Sequence, residues 1–376
     1  MKLFSLIVSG IVLIFFVTCS FALPRYALRM GGTCADCHVN PTGGLMRNSG
    51  GWTYGKNVLP MLRPSKEFPM SQKIGENIEY GLDYRGNSYL YLQESKKQID
   101  FQSMSGSVYT NVDISDKINI FARYDFIWQI WEAYGVAHIL PNDGYVKAGS
   151  FSPNFGIRLD DHTAYTRGGD LGLITPGASK RGLIYDPRYV ESGVEVGQYI
   201  SNFALITASV GNPRSPIVFT TDPTYTANLE FYPTISDVAA LMLGGSVSIF
   251  KQQVFQTNKY VYPEVQMYGG YAGIGIGDFT LMGEYDIANN YVKQDSASSA
   301  LMIEAAYMVV KGLETVVRYD RFDPLTKVNQ DDISRLIVGF EFHPYSFIEI
   351  RPQYRFQMEH PSITDDTFLI QFHLWY

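Results

Sequence analysis

The sequence predicts an all-β protein, an antiparallel transmembrane β-barrel of about sixteen strands, with fourteen as the other count it allows, preceded by a short segment of a different kind. Three observations predict it. From about residue 76 apolar and polar residues alternate with a period of two. The connections between the alternating stretches are short and long in turn, and the chain ends on an aromatic strand, "TFLIQFHLWY". A period of two puts successive side chains on opposite faces of a strand. Alternating turn lengths are the habit of outer-membrane barrels, with short turns on one side and long loops on the other.

The composition agrees. The chain has 376 residues, 14% of them aromatic and only 18% charged, with a formal net charge of −7. Charges of mixed sign with a negative balance give no basic stripe, so a nucleic-acid partner is not expected. No repeat of fixed period and no low-complexity tract is present.

The first 22 residues read as a secretory signal peptide. Lys2 is a short basic region, "FSLIVSGIVLIFFV" is the apolar core, and "SFA" sets small residues before a cut after Ala22. Cys19 leaves with it, so Cys34 and Cys37 are the cysteines of the mature chain. Beyond residue 22 no apolar run approaches the ~20 residues a membrane helix needs.

Residues 23–75 are rich in Gly, Pro and Asn and show no period of two. They are too few to build a core unless a metal or cofactor staples them. They carry "CADCH", a C-x-x-C-H at residues 34–38. That spacing attaches a c-type haem. Two thiols, Cys34 and Cys37, form thioethers to the vinyl groups, and the adjacent His38 binds the iron. One covalent haem c is therefore expected, with His38 as the metal ligand. A structural zinc site needs four ligands, and only these three Cys and His residues lie between 23 and 75. A thiol–disulfide pair would sit in a thioredoxin-like βαβ context, which is absent. The distal iron ligand stays open among Met30, Met46, Met61, Met70, His343, His373 or none. Packing is the bland reading of each Met, and the two histidines fall on the polar face of their strands.

Residues 76–376 supply the barrel. "IEYGLDYR" sets Ile78, Tyr80, Leu82 and Tyr84 against Glu79, Asp83 and Arg85, and "INIFARYDF" repeats the pattern. In a membrane barrel the apolar face meets lipid and the charged face lines the lumen. Strands are expected near 78–92, 103–115, 118–128, 130–139, 144–152, 183–198, 203–211 and 224–233. The other eight are expected near 238–251, 264–276, 278–289, 299–310, 313–322, 333–343, 347–359 and 367–376. The division at "WQI" decides between sixteen and fourteen. The longest connection, "SPNFGIRLDDHTAYTRGGDLGLITPGASKRG", gathers Arg158, Asp160, Asp161, His162, Arg167 and Asp170. It is either an inward loop that constricts the lumen or a solvated surface loop.

The combination resembles the fused monohaem cytochrome–porins of bacterial outer membranes. "YALRMGGTCADCH" matches that family's segment at Tyr26, Ala27, Gly31, Cys34, Cys37 and His38, and departs from it at Leu28, Met30 and the following "VNPTGG". The resemblance implies an electron-transfer conduit between the cell exterior and the periplasm, such as one for ferrous iron oxidation. It implies outer-membrane lipid, periplasmic electron-carrier cytochromes and an extracellular metal or mineral donor or acceptor as partners, with both termini periplasmic. It also implies that residues 23–75 fill the lumen, where Glu349, Arg351 and Arg355 could pair with Arg47, Lys56, Arg63 and Lys66. Two other readings are carried: a diffusion porin with a haem-bearing appendage, and a barrel that docks separate multihaem cytochromes. No hydrolytic triad, phosphate loop or carboxylate pair stands out.

Overall fold

A computed structural model describes residues 24–44, 46–64, 71–92, 97–159, 161, 163–169, 182–213, 222–236, 238–359 and 366–376. The signal peptide, Met70, Lys66, Asp160, His162 and Asp170 lie outside the described residues.

Sixteen long strands form the barrel. The first eight are β1 Ile78–Leu92, β2 Lys97–Ser115, β3 Ile118–Asp125, β4 Ile130–Ala137, β5 Tyr145–Phe151, β6 Glu191–Ile200, β7 Ala204–Pro213 and β8 Thr224–Phe231. The rest are β9 Ala239–Lys251, β10 Glu264–Ile276, β11 Phe279–Asn289, β12 Ala297–Val310, β13 Leu313–Asp323, β14 Ile333–Phe342, β15 Ile348–Glu359 and β16 Thr367–Trp375. Each pairs antiparallel with the next, and β16 pairs back with β1 from Asp83↔Trp375 to Tyr91↔Thr367. Closure leaves no edge, the condition for strands to stand in hydrocarbon. The count is sixteen, not fourteen, because the chain turns between β3 and β4, with Gln129 at φ 57°.

The two faces separate as the alternation predicts. Ile78, Tyr80 and Leu82 face outward and Glu79 is buried inside; Phe372 and Leu374 face outward while Gln371 and His373 are buried. Outward residues such as Val317, Val338 and Ile303 are more than 40% exposed, a belt of apolar surface that only lipid would cover. No helix among the described residues is long and apolar enough to cross a membrane.

Turns at one end are tight. Gly277 (φ 54°) lies between β10 and β11, and Gly312 (φ 81°) between β12 and β13, positions where a side chain would be strained. The long connections lie at the other end.

Residues 183–190 depart from the expected strand. Leu183, Tyr185 and Tyr189 alternate as a strand would, but Pro187 interrupts them, and β6 begins only at Glu191. The segment turns into the lumen instead. Leu183, Ile184, Tyr185 and Tyr189 join Phe155 and Tyr165 in a buried cluster against Phe250, Met267, Tyr291 and Phe322 of the wall and its loops. Arg167 reaches both carboxylate oxygens of Glu284 at 2.7 and 2.8 Å, and Ile157 donates its N–H to the same carboxylate at 3.1 Å. The described part of the long loop thus turns inward.

The register makes one expectation quantitative. Val338 pairs with Val317 and Tyr354 in the middle of β14 and faces out. Val338→Arg should cost about 2–4 kcal/mol if it sits near the bilayer midplane. A charge at lumen-facing Gln353, introduced as Glu beside Arg355, should be mild. Denaturant unfolding in lipid vesicles reads both, and equal costs would mean the faces are reversed.

Candidate functional site

Residues 24–64 build the site at the short-turn end. Helix α1, Pro24–Met30, opens on a proline and ends in a left-handed Gly31 (φ 72°). Gly32 donates its N–H back to Ala27 O at 3.0 Å, the bond that satisfies a final helical carbonyl. A single turn, Cys34–Asp36, follows, and His38 donates its N–H to Cys34 O at 3.0 Å. "NPTG" then makes a tight turn, with Gly43 N–H donating to Asn40 O at 2.9 Å and proline at its second position. Helix α2, Ser49–Asn57, is capped by Asn48, whose side chain accepts from Gly50 and Gly51. The same Asn48 amide donates to Ala35 O (2.8 Å) and His38 O (3.3 Å), tying the C-x-x-C-H turn to the helix.

Glycines permit the tightness. A Cβ on Gly51 would lie 2.2 Å from Cys37 O, and one on Gly43 (φ 81°) would lie 3.0 Å from Cys34 Sγ. Any side chain at either position would displace the motif. Sequence reasoning passed over Asn40, Asn48 and these glycines; "NPTGG" and "NSGG" flanking C-x-x-C-H were the available signal.

Both thiols are half-buried and reduced, with no disulfide between them. Burial pushes both thiols up, more than the nearby Arg158 (for Cys34) and Arg47 (for Cys37) pull them down. Thiols held protonated are poor thiolate nucleophiles and poor zinc ligands. A thioether, being uncharged, carries no such burial penalty. The two free thiols, a buried His38 and a glycine cradle therefore fit a c-type haem.

His38 and Cys34 line a cavity with Tyr26, Tyr54, His343 and Trp375. It holds about 1110 Å³ of space free of atoms, part of it open to solvent, around a core of about 150 Å³ in which water could move. His343 and His373 are buried on the lumen side, as the alternation placed them. They differ in what they hold. Both ring nitrogens of His373 meet carboxylates, Glu349 and Asp83, each at 2.7 Å. His343 places Nε2 3.4 Å from the Tyr26 hydroxyl and 4.0 Å from Glu349, and Nδ1 has no hydrogen-bond partner among the described residues. Burial keeps the His343 ring below its ordinary pKa despite Glu349 and Glu341 nearby.

The candidate methionines scatter. Met46 is buried in a cluster with Tyr109, Phe121 and Tyr134, while Met30 and Met61 are about two-fifths exposed. None of these three is among the residues lining the cavity.

The expected pairing of the segment with the wall is corrected in its partners. Glu349 pairs with Arg351 and His373 rather than with Arg47, Lys56 or Arg63. Among the described residues the segment's ion pairs with the wall come from α1, Arg25 with Glu304 (3.2 Å), Glu314 (3.4 Å) and Glu341 and Arg29 with Glu314, and from Lys73 with Glu79 (3.3 Å). Arg47 lies over the Trp375 ring instead, 4.9 Å from its centroid. From the opposite end the inward loop brings Arg158 against Gly43 and Gly44.

No family model matches the chain, and no curated protein matches it. Solved structures do. OprB of Pseudomonas putida superposes with a TM-score of 0.60 at 10% identity, covering 80% of this chain and 94% of that one. OmpF of Salmonella typhi, in complex with daunomycin, gives 0.55 at 11% identity over 80% and 98%. The outer-membrane channel DcaP of Acinetobacter baumannii gives 0.53 at 11% identity over 81% and 99%. The fold is that of an outer-membrane porin. These porin structures leave about a fifth of this chain uncovered. The 77 residues ahead of β1, of 376, make up the same share.

Proposed function

We propose that this porin-like barrel resides in a bacterial outer membrane and passes electrons through one covalent haem c held in the short-turn end of its lumen. The observation that carries the reading is the shared cavity, in which Cys34 and His38 of the N-terminal segment meet His343 and Trp375 of the barrel. Cys34 and Cys37 would tether the haem and His38 would bind its iron, which supplies a one-electron redox centre. The chain's own part is placement. Arg25 and Arg29 hold the segment to the wall, and Tyr26, Tyr54 and Trp375 would offer the haem aromatic faces in a cavity otherwise lined by paired charges such as Arg351, Glu341 and Glu349. The outward apolar belt supports lipid as the surrounding solvent. In this reading the short-turn end and both termini face the periplasm and its electron-carrier cytochromes. The long loops face an extracellular donor or acceptor, a metal or mineral.

A second reading is a passive diffusion channel, favoured by the likeness to porins. Vesicles carrying the haem-loaded protein and enclosing an impermeant redox dye separate the two. Electron transfer predicts that a reductant added outside changes the dye, and that the Cys37→Ala protein fails to do so. Equal rates with both proteins would sink the electron-transfer reading.

A further inference from the structure

We infer that His343, from the barrel wall, is the distal ligand that completes the coordination of the iron held by His38. This inference rests on the proposed haem. A second axial ligand must be buried, must line the cavity that His38 lines, and must have a ring nitrogen or sulfur to spare. Among the candidates that the structure describes only His343 meets all three conditions; Met282 also lines the cavity and is buried, but it packs in a cluster with Leu28, Ile157 and Tyr271. His373 lines the same cavity, but Asp83 and Glu349 hold both of its nitrogens. Met46 is committed to an aromatic cluster away from the cavity, and Met30 and Met61 are exposed.

Position supports the choice. Helix α2 joins the two halves of the site across one turn, a rise of about 6 Å for four residues. At one end of that turn, a Cβ on Gly51 would lie 2.9 Å from the Cys37 side chain. At the other, a Cβ on Gly55 would lie 3.1 Å from Trp375 Nε1. The His343 ring stands edge-on to Trp375, with centroids 5.8 Å apart. His343 therefore flanks the same helical turn as Cys37, from the barrel side.

The surroundings of the ring also fit. A metal-bound histidine commonly has its second nitrogen held by a carboxylate or another polar group, which fixes the ring. Here Tyr26 and Glu349 approach one nitrogen of His343 and the other is without a partner among the described residues. Glu341, His343 and Glu349 also form a cluster that could hold a cation, yet Arg25 and Arg351 already neutralise both carboxylates. The nitrogen to spare, rather than the carboxylates, is what the cluster offers.

The experiment uses the full-length, haem-loaded protein. Its oxidised form should give the visible and electron paramagnetic resonance spectra of a six-coordinate low-spin haem. His343→Gly should convert most of it to high spin, and free imidazole should restore the low-spin spectrum. His343→Met should remain six-coordinate with a raised reduction potential, since thioether ligation favours the reduced form. His373→Gln should leave the low-spin spectrum unchanged. A haem-loaded wild type that is high-spin, or a His343→Gly protein whose low-spin spectrum does not change, overturns the assignment. A wild type that carries no covalent haem overturns the haem reading itself, which a haem stain of the denatured protein reports separately.

Discussion

Expressed with a periplasmic c-type haem-ligation system, the chain should retain one haem through denaturation and electrophoresis, and the double variant Cys34→Ala/Cys37→Ala should retain none. Two thioether bonds are the only links that survive unfolding, because axial ligation is lost with the fold. Cys37→Ala leaves one anchoring thiol and should lose most of the haem. The barrel should still assemble in each variant, since the sixteen strands contain no cysteine. A gel that reports barrel folding and haem stain together therefore separates a lost cofactor from a lost fold. If the wild type stays haem-free while a co-expressed cytochrome loads, C-x-x-C-H has some other use in this chain.

The second large effect is on ion flow. A sixteen-stranded barrel is wide enough for an aqueous channel unless something fills it. In the proposed reading the N-terminal segment fills the lumen from one end and the inward loop from the other, with Arg158 beside Gly43 and Gly44. The intact protein should therefore conduct poorly in a planar bilayer. Deleting residues 24–64 should raise conductance several-fold. The sign of the selectivity follows from the ion pairs. The deletion removes Arg25 and Arg29 and leaves Glu304 and Glu314 without those partners, while Glu341 keeps Arg351, so the new pore should prefer cations. An intact protein that already conducts like an open porin would mean the segment leaves the lumen, and the diffusion-channel reading would stand.

The strands were legible because a barrel wall imposes one rule on every residue: apolar outside, polar inside. That rule reads "INIFARYDF" correctly except at Phe121, which is buried inside against Tyr109 and Tyr134. It fails where the lumen is itself apolar. Phe250, Met267 and Phe322 point inward because the inward loop covers them, and residues 183–190 imitate a strand while packing on that surface. Nothing in the chain near them announces the cover, which arrives from far away in sequence. The C-x-x-C-H was legible in the sequence because the chemistry proposed for it needs three residues at fixed spacing. Its supports were less so. Asn48 and Gly51 act through backbone contacts that any loop might contain, and the Arg25–Glu304 pair spans 279 positions. His343 and His373 show the same limit. Alternation put both inside, and only the carboxylates around His373 distinguish them.

The seam of the barrel lies beside the site. β1 meets β16 where the Tyr80 and Tyr376 rings meet at a tilt, centroids 5.5 Å apart, and both hydroxyls donate to Ser71 O. Trp52 of α2 packs against Tyr376 and Phe347, and Gly55 against Trp375, so one helix lies over the end of the first-to-last junction. In a cyclic sheet that junction is the only pairing between residues at opposite ends of the chain, and loop-closure entropy makes such a pairing expensive to nucleate. A helix that already packs against the last strand shortens that search. Docking of the N-terminal segment and sealing of the cylinder are thereby linked, and a chain lacking residues 24–64 should close its final joint more slowly than the full chain, whether or not the cysteines are present.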